Sequence, residues 1–307
     1  MDIRRVTPDE YRSLIDQSAA HVYNTVDFSE LNRGKCDDLH YLVIGNPKVR
    51  LGIILGERGD RLLSPFSAPF GGFASNRRQN IDIMDEGTAL LAAYGRECGK
   101  RVEVTLAPDI YDEATPKAAS SMMRAGTLAY ADINYHYPLS QADDFEAHLS
   151  GNARNKYRNS LRHPFATEIL SRDRADDIRR AYRVIQANRE SHGYPLRMAL
   201  DDVIATAPLV RAEFMVMTHE GVDVAAAQIH RVTPDIGQVV YWGDAPGFAQ
   251  LRPMNRFTRD VILHCRRMGM RLLDIGPSSE DGLPSYGLCE FKETLGCLPS
   301  LKYRFLL

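Results

Sequence analysis

Residues 214–229 read FMVMTHEGVDVAAAQI. An apolar run meets a polar, glycine-bearing turn and then runs apolar again, the pattern of two adjacent strands joined by a tight connection. The same pattern stands earlier in the chain, where residues 41–55 read YLVIGNPKVRLGIIL around Gly45-Asn46-Pro47. Working outward from both, the agreement continues. A strand-like stretch and a loop follow each, LLSPFSAPFGGF at 62–73 and VVYWGDAPGF at 239–248. Both loops carry Ala-Pro followed by glycine and phenylalanine. An amphipathic helix comes next, with Met84, Thr88, Leu91, Gly95 and Cys98 on one face of the first and Phe257, Val261, Cys265 and Met268 on one face of the second. Gly99 and Gly269 stop these helices. A short basic–apolar strand ending near proline closes each copy, KRVEVTLAP at 100–108 and MRLLDIGP at 270–277.

Five elements in the same order predict an internal duplication. The fold class expected is α/β (α+β), with two domains, residues 1–141 and 142–307, each a mixed, mostly antiparallel sheet flanked by helices. A chain of 307 residues has material for two cores. Between the copies, DDFEAHLSGNARNKYRNSLRH (143–163) predicts one helix capped by Asp143 or Asp144 and stopped before Pro164. A short strand ATEILSR, a helix over about 174–192 ending at Gly193, and a helix near 198–207 follow.

Composition narrows the function classes. Thirty-eight basic residues stand against 40 acidic ones, a net charge of −2, so the whole chain is no generic polyanion binder. The five cysteines, Cys36, Cys98, Cys265, Cys289 and Cys297, are odd in number and widely spaced, which argues against a disulfide framework. No Cys-x-x-Cys pair supports a metal site, and none is expected. Cys98 and Cys265 fall on apolar stripes and are expected as buried thiols. The N-terminal stretch MDIRRVTPDEYRSLID has no apolar core of a signal peptide, and no apolar run approaches the length of a membrane span, so a cytoplasmic protein is expected.

From residue 143 onward the order of elements resembles the GNAT acyltransferase fold, and the whole chain resembles the Fem-like branch that carries two such domains in tandem. Three stretches carry the resemblance: SAPFGGF (67–73), the basic helix GNARNKYRNSLR (151–162), and DIGPSSEDGLPSYGLCEFKETLGC (274–297) with its Gly-Leu-x-x-Phe-Lys core. The resemblance implies transfer of an acyl or aminoacyl group from acyl-CoA or aminoacyl-tRNA to an amine acceptor. That acceptor would be a small molecule or a cell-wall precursor. The [QR]-x-x-G-x-[GA] loop that cradles pyrophosphate in acetyl-CoA enzymes is missing from both halves. Its place in the second is taken by GDAPGFAQLRPMN (243–255), whose Asn255 opens the helix as a candidate donor contact. The same absence leaves open a GNAT-fold binding or scaffold protein without chemistry.

The resemblance also implies site residues. In Fem-like aminoacyltransferases the lysine of the matching Phe-Lys pair contacts the donor near the reacting carbonyl, which makes Phe291 and Lys292 candidates here. The alternative for Lys292 is an exposed side chain paired with Glu290 or Glu293. The Tyr/Arg pair of HGYPLRMAL (192–200), Tyr194 with Arg197, resembles the substrate-contacting region, where an arginine fork suits a carboxylate or diphosphate. The alternative is a surface arginine, and Tyr241 is a separate candidate. On the residues alone, Tyr241 and Trp242 are adjacent on one strand and face opposite ways. Arg154, Arg158 and Arg162 recur every fourth residue beside Lys156, with no acid from 151 to 163. Such a row suits a phosphate-bearing ligand, CoA or RNA, or it is a solvated face pairing with acids elsewhere. Gly71 and Gly72 can turn backbone N–H groups inward as an anion nest, with Arg77 and Arg78 following, or simply form a tight loop. Asp274 accepts a proton or caps the turn after its strand. With so few side chains required for acyl transfer to an amine, the expected site is quiet at motif level.

Overall fold

The computed structural model describes every residue except Ala19. The chain divides into two compact units. One comprises Met1–Asn134, Ser279–Pro284 and Ser300–Leu307; the other comprises Tyr135–Ser278 and Ser285–Pro299.

In the first unit, β1 (Ile3–Val6) is followed by α1 (Pro8–Leu14) and α2 (Val26–Leu31). A reciprocal capping box starts α1: the Thr7 N–H donates to Glu10 at 2.8 Å and the Glu10 N–H donates to Thr7 Oγ1 at 3.2 Å. Strands β2 (Asp38–Ile44), β3 (Leu51–Arg58) and β4 (Arg61–Ser64) are antiparallel neighbours, with β1 against β2. Helix α3 (Ile81–Glu97) then crosses to β5 (Arg101–Thr105), which lies parallel to β4. The near-continuous apolar run of β2 and β3 is explained by burial on both faces. Leu42, Ile53, Leu55 and Val104 pack with α3 and α4 (Thr115–Ala125), while Tyr41, Val43, Ile54 and Leu63 pack with Tyr11 and Val26 of α1 and α2. Cys98, expected on the buried stripe of α3, is exposed. The helix ends at Glu97, so Cys98 is the cap residue, one position beyond the last turn, before Gly99 turns the chain at φ +64°. Strand β6 (Thr127–Pro138) follows.

In the second unit the predicted helix of 143–163 is two helices, α5 (Phe145–His148) and α6 (Gly151–Ser160). Ser150 is the reason. Its hydroxyl accepts the Ala153 N–H at 3.3 Å and caps α6, which ends the preceding turn at Leu149. No side-chain cap comes from Asp144. Leu161 lies beyond the end of α6 and is exposed.

Strand β7 (Phe165–Leu170) precedes α7 (Ala175–His192), which stops at Gly193 with φ +68°, and α8 (Leu200–Thr206). Strands β8 (Glu213–His219), β9 (Val222–Thr233) and β10 (Ile236–Asp244) form an antiparallel ladder with β7 on β8. Helix α9 (Pro253–Arg267) crosses to β11 (Leu272–Pro277), parallel to β10. Each unit therefore repeats three antiparallel strands, a helix, and a strand parallel to the third.

A short hairpin, β12 (Ser279–Glu280) and β13 (Leu283–Pro284), leads to α10 (Tyr286–Thr294) and β14 (Leu298–Leu306). Arg304, Phe305 and Leu306 of β14 pair antiparallel with Thr105, Val104 and Glu103 of β5, and Phe305 is fully buried in the first unit's core. A cut at residue 141 therefore does not describe the units: the last eight residues belong with the first.

Candidate functional site

The two units differ where their parallel strands end. In the first, β4 and β5 pair from Arg61/Arg101 to Ser64/Val104, and the chain then folds back. The Gly71 N–H donates to Thr105 O at 2.8 Å, and the Gly72 N–H donates to Ser64 Oγ at 3.0 Å. Both N–H groups expected to form an anion nest are thus spent inside the fold. Only glycine fits there: a Cβ on Gly71 would stand 2.6 Å from Ser64 Oγ, and Gly72 has φ +106°. The space beside Gly71 is a cavity of about 30 Å³, lined in part by His21, Leu106 and Thr115, which is room for about one water. Arg78 pairs with Glu113.

In the second unit, β10 and β11 pair at only three positions, Ile236/Leu272, Gly237/Leu273 and Gln238/Asp274, and then part. Strand β10 continues six residues further along β9, to Asp244. A bulge between Val239 and Tyr241 shifts its register. Gln238 lies opposite His230, and Tyr241 lies opposite Gln228. Since paired residues share a face, the bulge turns Tyr241 to the face of Gln238, Gln228 and His230. Gln228 and His230 are joined at 2.9 Å, and Gln238 donates to Asp274 at 2.9 Å. Asp274 is wholly buried, and its other oxygen accepts the Gly276 N–H at 2.8 Å, capping the turn.

Tyr241 faces α7. Its hydroxyl accepts the Arg197 N–H at 3.2 Å, and the Arg189 guanidinium lies 5.0 Å above its ring. Trp242 faces the other way, with its ring edge to Phe291 at 6.4 Å, as alternation requires. Asn188 donates to Asp244 O at 2.8 Å and packs where Gly243 has no side chain. Arg189 was not singled out by motif. It falls four residues after Ile185 on the buried stripe of α7, and a charged residue continuing an apolar stripe is the signal that marks it.

Lys292 is 5% exposed, so it is neither a surface lysine nor paired with Glu290 or Glu293. Its ammonium donates to Gly276 O at 2.7 Å and Pro277 O at 3.0 Å, at the free end of β11, and stands 5.6 Å over the Tyr135 ring. Glu293 instead accepts the Tyr135 hydroxyl at 2.6 Å. Burial pulls the ammonium down to about 8, against the opposing pull of Asp274. Two of its three donors are occupied. No hydrogen bond or ring contact joins Lys292 to Tyr241 among the described residues.

The arginine row is not unpaired. Arg154 Nε donates to Glu146 O at 3.1 Å, and its Nη2 reaches Leu149 O at 3.1 Å, closing the carbonyl end of α5. Arg158 pairs with Glu146 at 2.5 Å. The acid lies upstream of the row, across the break between the helices, where spacing along one helix cannot reveal it. Asn255 is buried in the first turn of α9. That helix begins after a left-handed Arg252 (φ +58°), has no side-chain cap, and carries no acid in its first turn. Among the described residues no cluster of three His, Cys, Asp or Glu side chains is placed to hold a metal ion, and no helix is long and apolar enough to cross a membrane.

A mixed, mostly antiparallel sheet flanked by helices, with the same order of elements in both units, is a GNAT-type fold similar to that of FemX. Solved structures carry the likeness. The chain matches FemX over 100% of its own length and 98% of that chain, with a TM-score of 0.70 at 12% identity. It matches L-PGS from Bacillus licheniformis over 98% and 92%, at 0.60 and 12%. A tandem GNAT protein from the clavulanic acid biosynthesis pathway matches over 88% and 82%, at 0.52 and 11%. At these identities the likeness is one of fold. No protein-family model matches the sequence, and no curated protein does.

Proposed function

We propose that the chain is an N-acyltransferase that binds its donor in the second unit. The observation that supports this most is the early parting of β10 and β11. A strand edge without its neighbour suits an extended, amide-bearing chain such as the pantetheine arm of CoA. The uncapped start of α9 lies next along the chain, with Arg252 and no acid, which suits a pyrophosphate. The occupied Arg154 and Arg158 remove part of the basic face that RNA would need, and the net charge is −2. Acyl-CoA is therefore the donor favoured over aminoacyl-tRNA.

The amine nitrogen attacks the thioester carbonyl carbon, a C–N bond forms, the C–S bond breaks, and the thiolate leaves with a proton that the amine gives up. Lys292, with one donor uncommitted, is suited to the carbonyl oxygen as negative charge develops, and Phe291 with Trp242 would keep water from it. Tyr241, whose hydroxyl accepts from Arg197, retains its own proton to donate to the leaving group or the substrate.

Mass-spectrometric turnover with acyl-CoA and with charged tRNA, over a panel of amines, tests the proposal. Acyl-CoA-dependent product supports it. Micromolar tRNA binding with a steep salt slope and no CoA binding would move the donor to tRNA. Binding of neither donor would leave a fold used for binding alone.

A further inference from the structure

Arg189 is a cation without an anion. It lies in the last turn of α7, half-buried, with its guanidinium carbon 5.0 Å from the ring centre of Tyr241 and 5.7 Å from that of Tyr194. Its Nε is buried without a hydrogen-bond partner, and its outer N–H groups make no hydrogen bond or ion pair with any described residue. Neither acid close to it in the structure or the chain pairs with it. Glu190 accepts from Gln186 at 2.9 Å. Asp244 is held above the ordinary carboxylate range by its own burial, which a neighbouring guanidinium would have offset. Burial likewise lowers the Arg189 guanidinium, with only the two tyrosines opposing.

Two aromatic faces hold the plane of the fork in place while its charge goes unanswered. Tyr241, the inner wall, belongs to the bulged segment of β10. Tyr194, the outer wall, is 43% exposed and stacks on His192 at 5.6 Å, so the pair forms an accessible lip. A charged group desolvated to this degree without a partner loses hydration that only an anion can return.

We propose that Arg189, between Tyr194 and Tyr241, is an anion subsite that takes an oxyanion, carboxylate or phosphate, carried by the amine acceptor. The proposal rests on the acyltransferase reading for the word acceptor, but not for the site itself. The acceptor class is then an anionic amine, an amino acid or an amine-bearing phosphate ester, rather than a simple alkylamine.

The test is direct. The buried Arg189 Nε–H should exchange slowly enough to give a ¹⁵N–¹H signal, to be assigned by its loss in Arg189→Lys. Titration with N-acetylglycine, neutral N-acetylglycinamide and methyl phosphate reads the site without turnover. The expected result is a saturable shift with one or both anions and none with the amide; the tighter anion identifies the source. Arg189→Gln should weaken that binding more than tenfold, and Arg189→Lys, which keeps the stem and charge but not the fork, should fall between. An unmoved signal with both anions, an equal shift with the amide, or unchanged anion binding in Arg189→Gln would each overturn the subsite. Anion binding in a protein inactive with every donor would sink the acyltransferase reading alone. An active enzyme whose acceptor KM is unchanged in Arg189→Gln would sink the subsite alone.

Discussion

The Lys292 ammonium donates to the Gly276 carbonyl at 2.7 Å from a position that is almost fully buried. It therefore ties α10 to the end of β11 as well as facing the proposed reaction. If it answers charge in the transition state, Lys292→Met should cost ~10²–10³ in kcat while donor Kd moves little. Steady-state kinetics with isothermal titration of the donor checks this, and near-normal turnover in the variant would remove Lys292 from the chemistry.

The same lysine predicts two pH trends of opposite sign. Its folded pKa is lowered from 10.5 to about 8. Below about 8 it is charged, so turnover should fall as pH rises through that value. Between about 8 and 10.5 the unfolded chain binds the proton that the folded one has released, so its contribution to stability should rise with pH. A pH–rate profile and melts from pH 7 to 10.5 read both, and both slopes should be absent in Lys292→Met.

Ser64→Ala removes the acceptor of the buried Gly72 N–H. A buried donor left alone costs roughly 1–3 kcal/mol. Thermal melts should show that loss, whereas donor affinity should stay put if the donor binds in the second unit as proposed. Weaker donor binding in this variant would place the donor in the wrong unit here.

Arg154→Ala separates a structural from a ligand-binding arginine. Its bonds to the carbonyls of Glu146 and Leu149 make it a clasp for α5, and hydrogen bonds from a charged group contribute about 1.5–3 kcal/mol. The melting temperature should drop with donor Kd unchanged. A tenfold rise in Kd at an unchanged melting temperature would return Arg154 to the donor site.

Tyr241→Phe leaves the Arg197 N–H without its acceptor and keeps the aromatic floor beneath Arg189. Anion binding should survive, and turnover should drop if the phenol proton takes part. Equal turnover in the variant would reduce Tyr241 to a support for the loop after α7.

Much of the fold was legible because it rests on local rules. Period-two apolar runs, the glycines after α3 and α7, and the stripe of α9 each act within one element. What failed were junctions. The break at Ser150 depends on one hydroxyl satisfying an N–H, which helical spacing does not encode. Cys98 lay on the right face one residue beyond the last turn. Phe291 and Lys292 could be named as candidates from a motif, whereas pairing across elements is hidden from the sequence. Glu146 neutralises Arg158 from another helix, and the glycines of 71–72 face Thr105 and Ser64 rather than a ligand. Arg189 carries a sequence signal in the stripe of α7, but its unpartnered buried Nε is seen only in the structure.

The pairing of Arg304–Leu306 with β5 orders events during synthesis. While the ribosome is still extending the chain, the first 134 residues have an open sheet edge at β5 and a core lacking Phe305. That edge waits through the making of nearly two hundred residues. The first unit is thus completed only by residues made after those of the second, and a chain cut before Arg304 would lack the strand residues that pair with β5.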